Sequence, residues 1–226
     1  MINGRCNKSD FTVFSVVNQD KNVYDIRWGY EDVVINELLY DEKTGMYNPT
    51  GKLIKTNECS YVVERIFVKP TQQLIDDLFK NSEKQPSMFE LKSFSEFLGL
   101  SDNDTLQWMK EQMKRTIIRF DASSSINNFT VGGVNMWLDK ITRTGLLLRF
   151  QAEKAVGKIE TVLWHEDMQF SLPIDNAIQM LYAIELYASA TYNKTAEHLA
   201  NINKLESVDA LIAYDYKVGY PTQLEF

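Results

Sequence analysis

The chain has 226 residues, of which 44% are hydrophobic and 24% charged, and a formal net charge of -7. That length provides one large domain or two modest ones with a buried core, and its 24 basic residues are scattered rather than gathered into a phosphate-neutralising stripe, so no nucleic-acid partner is expected. No apolar run nears the roughly 18 residues a membrane helix needs, and the opening MINGRCNKSDF lacks the apolar heart of a secretory signal, so a soluble cytoplasmic chain with no membrane partner is expected.

The first 69 residues read as β-rich. FTVFSVV (11–17) is a short run of β-branched and aromatic residues, and NVYDIRWGY (22–30) alternates, with Tyr24, Ile26, Trp28 and Tyr30 on the face expected to be buried. VVINELLY (33–40) would also suit two helical turns. It is read as strand because DEKTGMYNPTGK (41–52) after it is dense in turn formers and YVVERIFV (61–68) then resumes a strong strand pattern. Residues 41–52 are expected to form a long, projecting loop. Cys6 and Cys59 have neither metal-ligand spacing nor the density of a disulfide framework.

At Pro70 the period changes. KPTQQLIDDLFKN spaces Leu74, Ile75, Leu78 and Phe79 helically, with Pro70 suited to the first turn, where its missing N–H loses no helical bond. SEKQPS (82–87) has linker composition, which predicts a β-rich domain over 1–85 and an α+β domain over 86–226. MFELKSFSEFLGL (88–100) predicts a helix with Phe89, Phe94, Phe97 and Leu98 on its apolar side and Gly99 as its C-terminal cap. SDNDTLQWMKEQMKRTIIRF (101–120) predicts another, capped by Asp102 or Asp104, with Leu106, Met109, Met113 and Ile117 on one stripe. DASSSINN (121–128) is a polar loop.

Two hairpin-and-helix units follow. With Gly132-Gly133 as a two-residue turn, Val131 faces Val134, Thr130 faces Asn135 and Phe129 faces Met136. Phe129, Val131, Val134, Met136 and Leu138 then share an apolar face, and Trp137 falls on the polar one. Asp139 is placed to cap a helix over 140–156 that Gly157 ends. In the second unit the turn is Glu166-Asp167, so His165 faces Met168, Leu163 faces Phe170 and Thr161 faces Leu172, with Trp164 on the other face. Pro173 opens a helix from about 174 to 203, about 45 Å long, with a bend suggested at 191–193. Ser207 caps a short helix in SVDALIAY (207–214), and DYKVGYPTQLEF has no helical period. Four strands are enough for one small antiparallel sheet covered by the helices.

The polar clusters read as punctuation. In WHEDM (164–168), neighbouring strand residues point to opposite faces, so His165 and Glu166 cannot aim at one ion, and no second His or Cys follows at i+2 or i+4. His198 lies in a helix with no ligand partner at helical spacing, and helix capping accounts for Asp139. VGGV is too short to cradle phosphate, and G-x-S-x-G and H-E-x-x-H are absent. No catalytic residue, metal or cofactor is expected. Glycosidase carboxylates need only separation and no motif, which keeps a hydrolase open as an alternative. The aromatics suggest contacts instead: Trp137 and Trp164 either anchor a partner or lie under a covering helix such as 101–120. The C-terminal Tyr214, Tyr216, Tyr220 and Phe226 either pack on their own domain or extend as an arm onto a neighbour.

INNFTVGGVNMWLDKITRTGLL, TVLWHEDMQFSLPIDNAIQMLYAIELYASATYNKTAEHL and VDALIAYDYKVGYP together order a hairpin, a W-L-D helix start, a second hairpin and a long Tyr/Ala-containing helix. In these stretches, roughly residues 126–226, the chain resembles an uncharacterised domain family of bacteriophage and prophage proteins encoded in tail and tail-fibre gene neighbourhoods. The resemblance brings no catalytic residues. It implies a virion or tail-associated structural protein working through protein–protein contacts with other phage structural proteins and with copies of itself, located in the virion or in the host cytoplasm during assembly. Partner-binding residues would be Trp137, Trp164, Tyr216, Tyr220 and Phe226. The alternatives are a tail-fibre assembly chaperone absent from the particle and a particle-associated hydrolase of cell-wall glycan.

Overall fold

In the computed structural model, which describes residues 1–226, the fold is α+β, and the alternation of the N-terminal third becomes strands much longer than expected. β1 (Ile2–Asn7), β2 (Phe14–Asn18), β3 (Val23–Asp41) and β4 (Met46–Ile66) form an antiparallel sheet in the order β1-β4-β3-β2. β1 was not anticipated, since INGRCN carries no alternation. β3 runs through VVINELLY without a break. Gly29, at φ +69, lets it bulge between Trp28 and Glu31, where the register against β4 shifts.

Segment 41–52 is not a loop. The chain reverses within four residues, Glu42 to Gly45: the Asp41 carboxylate accepts from the Lys43 N–H and the Thr44 hydroxyl, and the Gly45 N–H donates to the Asp41 carbonyl. Met46 already belongs to β4. Pro49 and Gly51, read as breakers, are accommodated because Thr50 to Lys52 bulge opposite Glu37, between the pairs Leu38–Pro49 and Asn36–Leu53.

The chain divides into two compact units, Met1–Met109 with Glu206–Ile212, and Lys110–Leu205 with Ala213–Phe226. That division falls at a different place from residue 85. In the first unit α1 (Gln72–Lys80) is capped by Thr71, whose hydroxyl accepts from the Leu74 N–H, so Pro70 sits before the cap rather than in the first turn. SEKQPS does not behave as a linker: Ser82 and Pro86 are buried, and the Trp28 indole N–H reaches the Ser82 hydroxyl and the Lys84 carbonyl, both at 3.1 Å. α2 (Met88–Leu98) starts in a capping box. Ser87 accepts from the Glu90 N–H, and the Glu90 carboxylate accepts from the Ser87 N–H and, on its other oxygen, from the Tyr30 N–H. Phe94 is buried while Phe89 and Phe97 stay exposed, and Gly99 caps the helix as expected. α3 (Asp102–Asp121) is capped by Ser101 rather than by an aspartate. Trp28, Phe79 and Phe94 form the aromatic centre of this core, with Ile26, Ile75 and Leu91 fully buried beside them.

The second unit keeps the expected registers. β5 (Phe129–Val131) and β6 (Val134–Met136) pair Phe129 with Met136 and Val131 with Val134 around the two glycines, both at positive φ as their turn requires. α4 (Lys140–Ala155) is capped by Asp139. β7 (Glu160–His165) and β8 (Met168–Pro173) pair His165 with Met168 and Leu163 with Phe170. α5 (Ile174–Lys204) is a single element of 31 residues, continuous through 191–193. One core joins Phe129, Val131, Met136, Phe150, Leu163 and the N-terminal half of α5. The two hairpins do not merge into a four-stranded sheet. β7–β8 stands alone, and the strand on the other edge of β5 from β6 is β9 (Leu224–Glu225), in parallel. The short α6 (Val208–Ile212) is capped by Ser207 and belongs to the first unit.

Candidate functional site

Asp139 and His198 both have structural partners. Asp139 accepts from the Thr142 N–H at 2.9 Å and from its hydroxyl at 3.0 Å, and these bonds hold its carboxyl below the usual range. Glu166 occupies the hairpin turn at φ +52. His198 is buried. Its Nε2 lies 3.0 Å from the Val218 carbonyl, which can only accept, so in the neutral ring Nε2 carries the proton and Nδ1 accepts from the Tyr214 hydroxyl at 2.7 Å. Tyr220 stacks on the same imidazole, and its hydroxyl pairs with Thr195. This histidine fastens the C-terminal segment to α5.

The predicted aromatics separate into two groups. Trp137 lies one residue beyond β6, where strand alternation no longer sets its direction. It packs on the core against Phe129 and Tyr187, under the Arg143 guanidinium at 5.5 Å. Tyr216 and Tyr220 both meet Phe120 edge-to-face at 5.5 Å. Phe226 is 44% exposed, although its backbone is tied to the free edge of β5 and the turn after it: its N–H donates to the Thr130 carbonyl and its carbonyl accepts from the Gly132 N–H. The C-terminal segment therefore packs on its own unit. Trp164 is 60% exposed on the outer face of β7–β8. Because the hairpins do not pair, Trp137 and Trp164 share no sheet face.

The largest unassigned feature lies elsewhere. β1 pairs β4 only over Glu58–Val63, and β2 pairs β3 only over Val23–Ile26. From Val34–Lys55 outward to Asp41–Met46, the β3–β4 ladder has just two strands. Such a ribbon buries little of its own, and eight large apolar side chains on it, from Val34 to Leu53, are between 47% and 66% exposed. At the tip, the pairs Leu38–Pro49 and Tyr40–Tyr47 lie on one face with no charge among them, the two tyrosine rings 5.1 Å apart. The sequence signals that mark it are the unbroken strand residues of 33–40 and a compact D-E-K-T-G turn, which the breakers at 49 and 51 obscured.

Two concavities also lie in the first unit. One, of about 530 Å³, is lined by Glu96, Asp102, Glu206 and Asp209 with Lys92 among them, and the Asp209 side chain is 89% exposed and 3.8 Å from the Lys92 ammonium. The other, of about 630 Å³, is walled by Phe11, Tyr30 and Phe89 above Glu90, whose two oxygens are already occupied by Tyr30 and Ser87. No helix is long and apolar enough to cross a membrane. Compared with known protein families, with curated proteins and with solved structures, the chain gives no match.

Proposed function

We propose that this chain is a non-enzymatic structural protein of a bacteriophage particle, tail-associated, that works through contacts with other particle proteins and with copies of itself. The observation that carries the contact reading is the β3–β4 ribbon. Two strands alone are marginal in water, and a contiguous apolar patch left in solvent marks an interaction surface. Trp164 and Phe226 are secondary contact positions, being the exposed members of the expected set. The phage setting rests on the resemblance of residues 126–226. The test is mass spectrometry of purified particles made with the native chain or with Tyr40→Ser/Tyr47→Ser. The native chain is expected in the particle at fixed stoichiometry, and the variant, still folded by circular dichroism, is expected to be lost from it. Absence of the native chain from particles whose fibres fail to assemble without it would favour the chaperone alternative.

The acidic concavity lends the hydrolase alternative its one specific feature. A glycosidase's general acid is a carboxyl kept protonated by an apolar, water-poor setting, whereas Asp209 is open to solvent beside a lysine. Release of reducing sugar from cell-wall glycan, lost in Glu96→Gln or Asp209→Asn, would establish that activity and displace the structural reading.

A further inference from the structure

We infer that Cys6 and Cys59 form a redox-responsive pair that closes to a cross-strand disulfide when the chain meets a small-molecule disulfide. The two residues sit directly opposite one another in the antiparallel β1–β4 ladder, with sulfurs 3.6 Å apart. Opposed residues in such a ladder hold their Cα atoms about 4.5–5.5 Å apart, inside the range of about 4.4–6.8 Å that a disulfide spans. Bond formation therefore needs rotation about the side chains and no change of register. The long separation in sequence hid this: the pairing exists only because β1 docks on β4.

Access sets the order of events. β1 is an edge strand and Cys6 is half-buried, while Cys59 is fully enclosed. The Cys6 thiolate, its proton released to solvent, attacks one sulfur of the small disulfide. That S–S bond breaks, and the departing thiolate takes up a proton. Cys59 then loses its proton and attacks the Cys6 sulfur, forming the Cys6–Cys59 bond and expelling the second small thiolate. Two electrons and two hydrogens leave the protein, and one small disulfide becomes two thiols. While both thiols are free, burial and the neighbouring Cys6 thiol push the Cys59 thiol up to about 11, so the more accessible Cys6 is the first to react. The bond fastens the edge strand to β4 one residue from the end of the β1–β4 ladder, at the side from which the ribbon extends. It stands independently of the contact function proposed above.

The full chain is incubated with oxidised glutathione under native conditions, then denatured, alkylated and weighed, beside Cys6→Ser, Cys59→Ser and Cys59→Ala variants checked for native circular dichroism. The native chain is expected to fall from two alkylatable thiols to none, to lose two hydrogens in mass and to yield a cross-linked peptide pair holding residues 6 and 59. The Cys59 variants are expected to stop at one bound glutathione on Cys6, and Cys6→Ser to stay unmodified. Retention of both thiols in the native chain overturns the proposal. So does accumulation of a glutathione adduct without closure, or formation of the bond only after denaturant is added.

Discussion

Replacing Trp137 and Trp164 singly by alanine separates core from surface among residues that looked alike in the sequence. Trp137 loses its packing on Phe129 and Tyr187 and uncovers the Arg143 guanidinium, which is otherwise bound to the Leu138 carbonyl at 2.6 Å and to Glu185 at 3.0 Å. Truncating a buried tryptophan costs about 3–5 kcal/mol. Because Trp137 is only half-buried, the lower end applies, about 3 kcal/mol, which includes its aromatic and cation–π contacts. With a urea slope of about 2 kcal/mol per molar, the unfolding midpoint followed by far-ultraviolet circular dichroism should fall by about 1.5 M. Trp164→Ala removes an indole that is 60% exposed and should cost less than about 0.5 kcal/mol, a midpoint shift below about 0.25 M. Equal shifts for the two variants, or a larger shift for Trp164, would refute the assignment of Trp137 to the core.

Asp25, buried on the outer face of the first sheet, takes a two-pronged bond from Arg65 at 2.7 and 3.0 Å and a third contact from Arg27 at 3.3 Å. The Arg65 bonds, more than the burial that opposes them, hold its carboxyl below the usual value near 3.8. Its stabilising contribution is therefore complete above about pH 4 and is lost as pH falls from there through the depressed native value. Asp25→Asn should flatten that acid limb in a pH series of thermal melts. For Cys59 the shift is upward, from 9.0 to about 11. Stability should then hold below pH 9 and decline as pH rises through 11, and Cys59→Ala should remove that component of the alkaline decline. Glu90→Ala strands the N–H groups of Tyr30 and Ser87 and should cost about 3 kcal/mol by denaturant titration, with Glu90→Gln, which keeps one acceptor, losing less. Glu166→Gly relieves a non-glycine residue at positive φ and should raise stability by up to about 1 kcal/mol in the same assay. A fall would mean that the carboxylate has a structural partner.

What could be read from the sequence was local. A two-residue turn at Gly132-Gly133 or Glu166-Asp167 fixes the register of its hairpin, and with it which side chains meet the core. Capping by Asp139, Gly99 and Ser207 likewise involves residues within a turn of one another. What could not be read depended on partners far along the chain. Nothing in SEKQPS announces that its serine and a lysine carbonyl complete the hydrogen bonding of Trp28, 54 and 56 positions earlier. Nothing in INGRCN announces that Cys6 will face a residue 53 positions later.

The ribbon combines both situations. Pro49 and Gly51 are breakers in a strand flanked on both sides, because each would disturb a ladder there. In a two-stranded ladder every strand keeps one open edge, and a bulge opposite Glu37 absorbs the surplus residues, with the Glu37 carboxylate accepting from the Thr50 hydroxyl and the Lys52 ammonium. The faces of this ladder are open as well, and Leu38, Tyr40 and Tyr47 stand on one of them without a covering layer. A polar loop at this position would have needed none, and on the proposed contact function the missing layer comes from a partner. Tyr40→Ser/Tyr47→Ser should therefore leave the melting of the isolated chain almost unchanged while removing its association. A large drop in the melting temperature would instead mean that the tyrosine pair holds the ribbon together for its own sake.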